Sequence, residues 1–177
     1  MKKGGNKGAS TTSGRAFEDR LGVAELLSAS GYLVTEVSKN ISAVSLDGDV
    51  VGFLTKKRGF YDWLDFSGIE RQQQPWEFEP DLVFANLKQN TIHILEMKTQ
   101  STKGSVDEKL FGVAYRVSYF RGFVEGTSWT STFTYVLAGS EFLERREGKY
   151  RGLFKYIIES EGGYVFERDF GLETLGL

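Results

Sequence analysis

Cysteine is absent from this chain, and histidine occurs once, at His93. Without cysteine, the protein has neither a disulfide framework nor a zinc-thiolate site. A single histidine argues against a metal site built from histidines and against Ser-His or Cys-His catalysis. We therefore expect any metal in this protein to be held by carboxylate oxygens, which favour magnesium, manganese or calcium over zinc.

Long apolar runs are also missing. The chain nowhere approaches the roughly 18 consecutive apolar residues of a membrane span, and its start has lysines without the apolar stretch of a targeting signal. We therefore expect a cytoplasmic protein with no membrane contact. The chain does have 177 residues, 40% of them hydrophobic and 14% aromatic, which is enough for one domain with a proper core.

Charge is nearly balanced overall, at a net −2, but its distribution is uneven. Residues 1–14 combine Gly, Ser, Thr and Lys, which predicts a flexible basic arm ahead of a single domain over 15–177. Further basic clusters lie at 56–58 and 145–151. Each cluster alone is compatible with solvated surface charge, and together they are also compatible with a local basic cleft.

Hydrophobic periodicity predicts an α/β protein with a mixed central sheet flanked by helices. The coarse order is helix, strand, strand, strand, helix, strand, then a helix and a short strand. The second helix lies between strands that end near Lys98 and begin near Thr132, which implies a parallel strand pair. The predicted segments are a helix from about Gly14 to Ser30, strands at 32–37, 50–54, 80–100 (a hairpin) and 132–137, a helix from Ser105, a helical region at about 141–160, and a strand at 164–166. Asp47-Gly48 is a turn signal and predicts a hairpin-like segment that leads into the strand at 50–54.

Residues 56–79 interrupt this order. Six aromatic residues lie there among charges and three glutamines without a clear period. One interpretation is an irregular segment whose aromatic side chains fill part of the core. The other is an insertion that contacts a ligand or another subunit, since aromatic, Arg and Gln side chains suit interfaces and base edges.

The hairpin at 80–100 contains the candidate catalytic residues. Side chains of a strand alternate between two faces, so Glu96, Lys98 and Gln100 share one face and His93 lies on the other. Asp81 begins the preceding strand and is expected beside Glu96. Charged groups so close to an apolar core are costly unless they are paired or bind metal.

Two carboxylates on adjacent strands are suited to bind one magnesium ion, with the backbone carbonyl of Met97 as a further oxygen ligand. Lys98 is placed to position an attacking water and to stabilise charge on a phosphate oxygen. This set predicts metal-assisted phosphodiester hydrolysis by Asp81, Glu96 and Lys98. The alternative is a structural ion pair of Glu96 and Lys98 with Asp81 at the end of the sheet.

Pro80-Asp81, followed after fourteen residues by Glu96-Met97-Lys98, resembles the signature of the PD-(D/E)xK phosphodiesterase superfamily. That superfamily includes type II restriction endonucleases, junction resolvases and repair nucleases. The resemblance covers about residues 14–137 and implies a restriction-endonuclease-like α-β-β-β-α-β core. It also implies that Glu18 reaches the metal through water and that Gln100 lies beside the active site, although Glu18 also suits an ordinary amphipathic helix start.

The resemblance implies a magnesium-dependent endodeoxyribonuclease of restriction type, with manganese as a substitute metal. It would leave 5′-phosphate and 3′-hydroxyl ends on double-stranded DNA. One site per chain suggests a homodimer, and residues 56–79 are then the candidate DNA or dimer contact. The alternatives are a structure-specific repair or junction-resolving nuclease, and a nuclease-fold DNA-binding subunit that needs a partner chain.

Overall fold

The computed structural model describes residues 17, 21–70, 77–99, 106–138 and 148–177, with only the backbone for 106 and 107. In this part of the chain a seven-stranded sheet is flanked by helices, which confirms the predicted α/β class. The strands are β1 Leu33–Ser38, β2 Ile41–Leu46, β3 Asp49–Thr55, β4 Leu82–Asn86, β5 Thr91–Thr99, β6 Thr130–Ala138 and β7 Gly163–Phe166. The helices are α1 Val23–Ala29, α2 Gly59–Phe66, α3 Val106–Leu110, α4 Val113–Gly122 and α5 Arg151–Glu159, with 3-10 turns at Glu167–Asp169 and Leu172–Leu175.

The strands lie in the sheet in the order of the chain. β1 to β5 form successive antiparallel pairs, whereas β5, β6 and β7 are parallel. The parallel pairing of β5 with β6 confirms the crossover prediction, and α3 and α4 lie between them in the chain. The predicted turn at Asp47-Gly48 joins β2 to β3, and both residues have positive φ, as this tight hairpin turn requires.

Each face of the sheet carries its own apolar core. One core contains Ile92 and Ile94 of β5, packed with residues of α2, α4 and α5. The other contains Leu95 and Met97 of the same strand, packed with α1 and the C-terminal segment. This alternation confirms the predicted faces of β5. No described helix has the length and apolar character to cross a membrane.

Two predictions about the order of elements need correction. The first helix is not continuous to Ser30, because Gly22 has a left-handed φ of 53° and α1 begins after it; residues before 17 lie outside the described part. The described residues have five strands before the crossover helices, whereas the coarse order has three. One extra strand arises because the hairpin at 80–100 counts as one element in that order and is the two strands β4 and β5. The other is β2, into which the chain turns at Asn40, at a φ of 66°.

The segment 56–79 is not irregular throughout, because it contains α2. Phe60, Tyr61 and Trp63 are buried in the core, as the first of the two interpretations expects. The helical period is unclear in the sequence because Phe66, whose side chain is 77% exposed, places an aromatic ring on the solvent face of α2. Residues 71–76 lie outside the described part of the chain.

Candidate active site

The sheet brings Asp81 and Glu96 together. Leu82 of β4 pairs with Leu95 of β5 in an antiparallel register. Asp81, which precedes Leu82, therefore lies beside Glu96, which follows Leu95. Glu96 is 6% exposed and continues the face of Ile94 beyond the apolar core. The predicted convergence of the two carboxylates is therefore present in the fold.

Asp81 is held by groups on both sides. Its Oδ2 accepts a hydrogen bond from the backbone N–H of Met97 at 2.9 Å, which ties it to β5. Its Oδ1 accepts one from Lys57 Nζ at 2.7 Å. The backbone N–H of Lys57 in turn donates to the Pro80 carbonyl at 2.9 Å, so the loop before α2 is fastened to the residue preceding Asp81.

Lys98 connects the two carboxylates. Its Nζ lies 2.6 Å from Glu96 Oε1 and 3.9 Å from Asp81 Oδ2, and it also donates to the Met97 carbonyl at 3.1 Å. The predicted acid–acid–lysine set is thus one contact cluster. The Met97 carbonyl, predicted as a metal ligand, accepts the Lys98 hydrogen bond in this structure.

Arg116 of α4 is a second cation on Glu96. Its Nη1 lies 3.2 Å from Glu96 Oε1, and its guanidinium carbon lies 5.1 Å from the centre of the Phe78 ring. Sequence reasoning missed both Arg116 and Lys57 as site residues. The basic run at 56–58 was the one available signal for Lys57, and nothing in the spacing of α4 distinguished Arg116 from an ordinary helix-surface arginine.

Tyr135 of β6 lies opposite Glu96 in the parallel register. Burial is the main cause that raises the pKa of the Tyr135 phenol to about 12; within that value, the Arg116 charge lowers the pKa and the Glu96 charge raises it. The phenol therefore stays protonated at neutral pH, where it is a neutral hydrogen-bond donor. Its oxygen lies 3.4 Å from the Lys109 carbonyl, a weak contact that leaves Tyr135 mainly a packing residue.

The donor set fits a magnesium ion. Glu96 Oε2 is buried and has no hydrogen-bond partner among the described residues, which leaves one carboxylate oxygen available as a ligand. The described residues contain no cluster of three or more His, Asp or Glu side chains that is able to hold a metal. Magnesium needs only one or two carboxylates when water completes its coordination, so Asp81 and Glu96 are sufficient.

A cavity of about 230 Å³ lies beside Asp81, between the start of α1 and the ends of β3 to β5. Val23, Glu25, Lys56 and Met97 are among the residues that line it. A larger cavity, of about 640 Å³, lies between α5 and β7, and none of the predicted site residues that the structure describes is in its lining. The smaller cavity adjoins the cluster at Asp81, whereas Glu96 and Lys98 are not in its lining, so the carboxylate contacts and not the cavity define the candidate site.

The remaining predicted site residues, Glu18 and Gln100, lie outside the described part of the chain. His93 faces away from the carboxylates, as predicted, and contacts Thr132 Oγ1 through Nδ1 at 3.1 Å.

Comparison with known proteins gives little further information. No protein family and no curated protein matches the sequence. One solved structure that is similar, Pyrococcus furiosus SfsA in complex with Ca²⁺, is 9% identical over 76% of this chain and 86% of that chain, with a TM-score of 0.25. A TM-score this low makes SfsA only a weak structural neighbour, and nothing about the function of this chain is taken from it.

Proposed function

We propose that this protein is a magnesium-dependent nuclease that hydrolyses phosphodiester bonds of DNA. The observation that carries the proposal is the sharing of Lys98 between Asp81 and Glu96 at one end of the β4–β5 hairpin. The motif residues Pro80-Asp81 and Glu96-Met97-Lys98 resemble those of the PD-(D/E)xK superfamily, in which such a set performs this reaction.

Each residue of the cluster has a task. Asp81 and Glu96 would hold the magnesium ion through carboxylate oxygens. When bound, the ion supplies Lewis-acid stabilisation of phosphate charge and lowers the pKa of a coordinated water. Lys98 orients the attacking water with its ammonium group and stabilises the negative charge that develops on the phosphate. Lys57 keeps Asp81 in place from the opposite side.

The charge of the cluster supports an anionic substrate. Among the described residues, three cations, Lys57, Lys98 and Arg116, contact the two carboxylates, so these five side chains together carry a net positive charge. Excess positive charge, increased further by magnesium, suits a phosphodiester anion.

We further propose cleavage of restriction type, with 5′-phosphate and 3′-hydroxyl products. Each chain has one proposed active site, so a second copy of the chain is needed to cut both strands at one position. The proposed assembly is therefore a homodimer on double-stranded DNA. Because three aromatic residues of 56–79 are buried, any DNA or dimer contact by the described part of that segment falls to its exposed residues, such as Lys56, Arg58 and Phe66. Glu18 and Gln100 stay predicted contributors.

The test is incubation of plasmid and phage DNA with the purified protein and magnesium, followed by electrophoresis, with EDTA as control. Discrete bands that disappear with EDTA are the expected result, and end-mapping identifies the products. Selective cutting of branched DNA would replace the restriction proposal with a structure-specific nuclease. Binding without cleavage of any DNA would contradict the catalytic proposal and favour a DNA-binding subunit.

A further inference from the structure

Arg116 is a charged residue of the site that has no role in the proposed hydrolysis by Asp81, Glu96 and Lys98. Its Nη1 and the Lys98 ammonium both lie against the same oxygen, Glu96 Oε1, while Oε2 has no hydrogen-bond partner among the described residues. One cation already neutralises one carboxylate. A second cation crowded onto the same oxygen is therefore poorly explained as a neutralising partner alone.

The guanidinium is held in a fixed position. It lies over the Phe78 ring, and the Tyr119 ring packs perpendicular to the Phe78 ring with ring centres 5.1 Å apart. The Tyr61 hydroxyl donates to the Phe78 carbonyl at 2.6 Å and lies 3.0 Å from the Tyr119 hydroxyl. This hydrogen-bonded aromatic cluster holds the Phe78 ring over which the Arg116 guanidinium lies, and a cation over a ring face is favoured at that distance.

The Arg116 guanidinium also has N–H donors that the contact with Glu96 does not use. A guanidinium carries five N–H groups, and the contact with Glu96 is made through Nη1. The Arg116 side chain is 21% exposed, so it reaches solvent although its partner Glu96 is buried. Planar N–H pairs are well matched to the oxygens of a phosphate.

We propose that Arg116 is a phosphate-binding residue of this site. In the substrate-free protein its guanidinium rests on Glu96, and in the complex its remaining N–H donors bind a non-bridging oxygen of the DNA backbone beside the scissile bond. This inference rests on the proposed nuclease function and assigns Arg116 to the substrate, not to the metal.

The test measures binding of a fluorescein-labelled DNA duplex by anisotropy, with calcium in place of magnesium, over a series of salt concentrations. Wild type is compared with Arg116→Ala, Arg116→Lys and the control Arg121→Ala. Arg121 is on the same helix and pairs with Glu161, so its loss removes an equal charge without contact to the cluster. Calcium binding without DNA is measured on all four proteins by calorimetry, and thermal unfolding checks the fold.

We expect Arg116→Ala to weaken duplex binding roughly tenfold or more and to reduce the salt slope by about 0.9, the loss of one phosphate contact. Arg116→Lys should keep the slope but bind more weakly than wild type, because it keeps the charge and loses the fork. Arg121→Ala should bind like wild type. Calcium affinity of Arg116→Ala should equal or exceed that of wild type, since a cation beside Glu96 is gone.

Duplex affinity and salt slope unchanged in Arg116→Ala would overturn the inference while the nuclease proposal stood. Loss of DNA binding accompanied by an equal loss of calcium binding would also overturn it, because Arg116 would then act only by holding Glu96. Should Arg116→Ala fail to fold, Arg116→Lys decides, and wild-type affinity in that variant contradicts the fork contact. Wild-type protein that neither binds nor cuts DNA would overturn the proposed function together with the inference.

Discussion

The two faces of β5 each bury one titratable side chain, and they bury it in different ways. His93 is 8% exposed on one face and Glu96 is 6% exposed on the other. Each has one buried atom without a hydrogen-bond partner among the described residues, His93 Nε2 and Glu96 Oε2. Burial and an unsatisfied atom therefore do not distinguish them.

Their neighbours do distinguish them. The partner of His93 is the uncharged Thr132, and burial lowers the pKa of the imidazole, which stays neutral at physiological pH. Glu96 is contacted by two cations and lies where the strand leaves the apolar core. Burial of a neutral group costs little free energy. Burial of charged groups is costly unless opposite charges pair with one another or a ligand binds them. We therefore propose a structural role for the His93 face of β5 and a chemical role for the Glu96 face.

Glu96→Gln is expected to have the largest effect. It removes a metal ligand and should lower magnesium-dependent cleavage by at least about a hundredfold while the protein stays folded. The matched change on the opposite face, His93→Gln, should leave cleavage within about twofold of wild type. Initial rates of plasmid cleavage measure both. Equal loss in the two variants would show that the faces do not differ in function.

Lys98→Ala should lower turnover by about a hundredfold, because the attacking water loses its positioning group. Calcium binding should be retained, since both carboxylates remain and a competing cation is gone. Single-turnover cleavage and calorimetry separate the two effects. A variant with normal turnover would reduce Lys98 to a structural ion pair, which is the alternative that the sequence leaves open.

Lys57→Ala should reduce cleavage by a smaller factor, about two- to tenfold. Asp81 loses one hydrogen bond but keeps the one from the Met97 N–H, so the carboxylate is loosened and not released. Lys155→Ala is the matched control, because that lysine pairs with Glu159 on the exposed surface of α5. Identical cleavage rates for wild type and both variants would remove Lys57 from the site.

The smallest expected effect concerns stability. Because burial depresses the pKa of folded His93 below its ordinary value of 6.5, the unfolded chain binds the proton more readily. The stability from neutral His93 is fully present above about pH 6.5 and is lost as pH falls through and below that value. The temperature of thermal unfolding should therefore fall less steeply between about pH 8 and about pH 5 in His93→Gln than in wild type. Parallel curves of unfolding temperature against pH would contradict this.

Sequence reasoning predicted the parts of the site that local periodicity governs. The alternation of β5 placed Glu96 and Lys98 on one face and His93 on the other, because strand geometry depends only on the strand itself. The turn at Asp47-Gly48 was predictable for the same reason. The convergence of Asp81 with Glu96 followed from a hairpin short enough for its register to be inferred.

Contacts set by tertiary packing were not predictable. Lys57 reaches Asp81 from 24 residues away, and Arg116 reaches Glu96 from a crossover helix whose rotation is fixed by the apolar core beneath it. The break at Gly22 was also missed, because glycine within a helical pattern is compatible with either a continuous or an interrupted helix.

The central claim is that Asp81 and Glu96 form a divalent-metal site at the charged end of β5. Calorimetric titration of manganese into wild type and into the double variant Asp81→Asn, Glu96→Gln tests it most directly. The account predicts saturable binding by wild type and none by the double variant, with circular dichroism showing that both proteins are folded at the temperature of the titration. Equal binding by the two proteins, or no binding by wild type in the presence of duplex DNA, would contradict it.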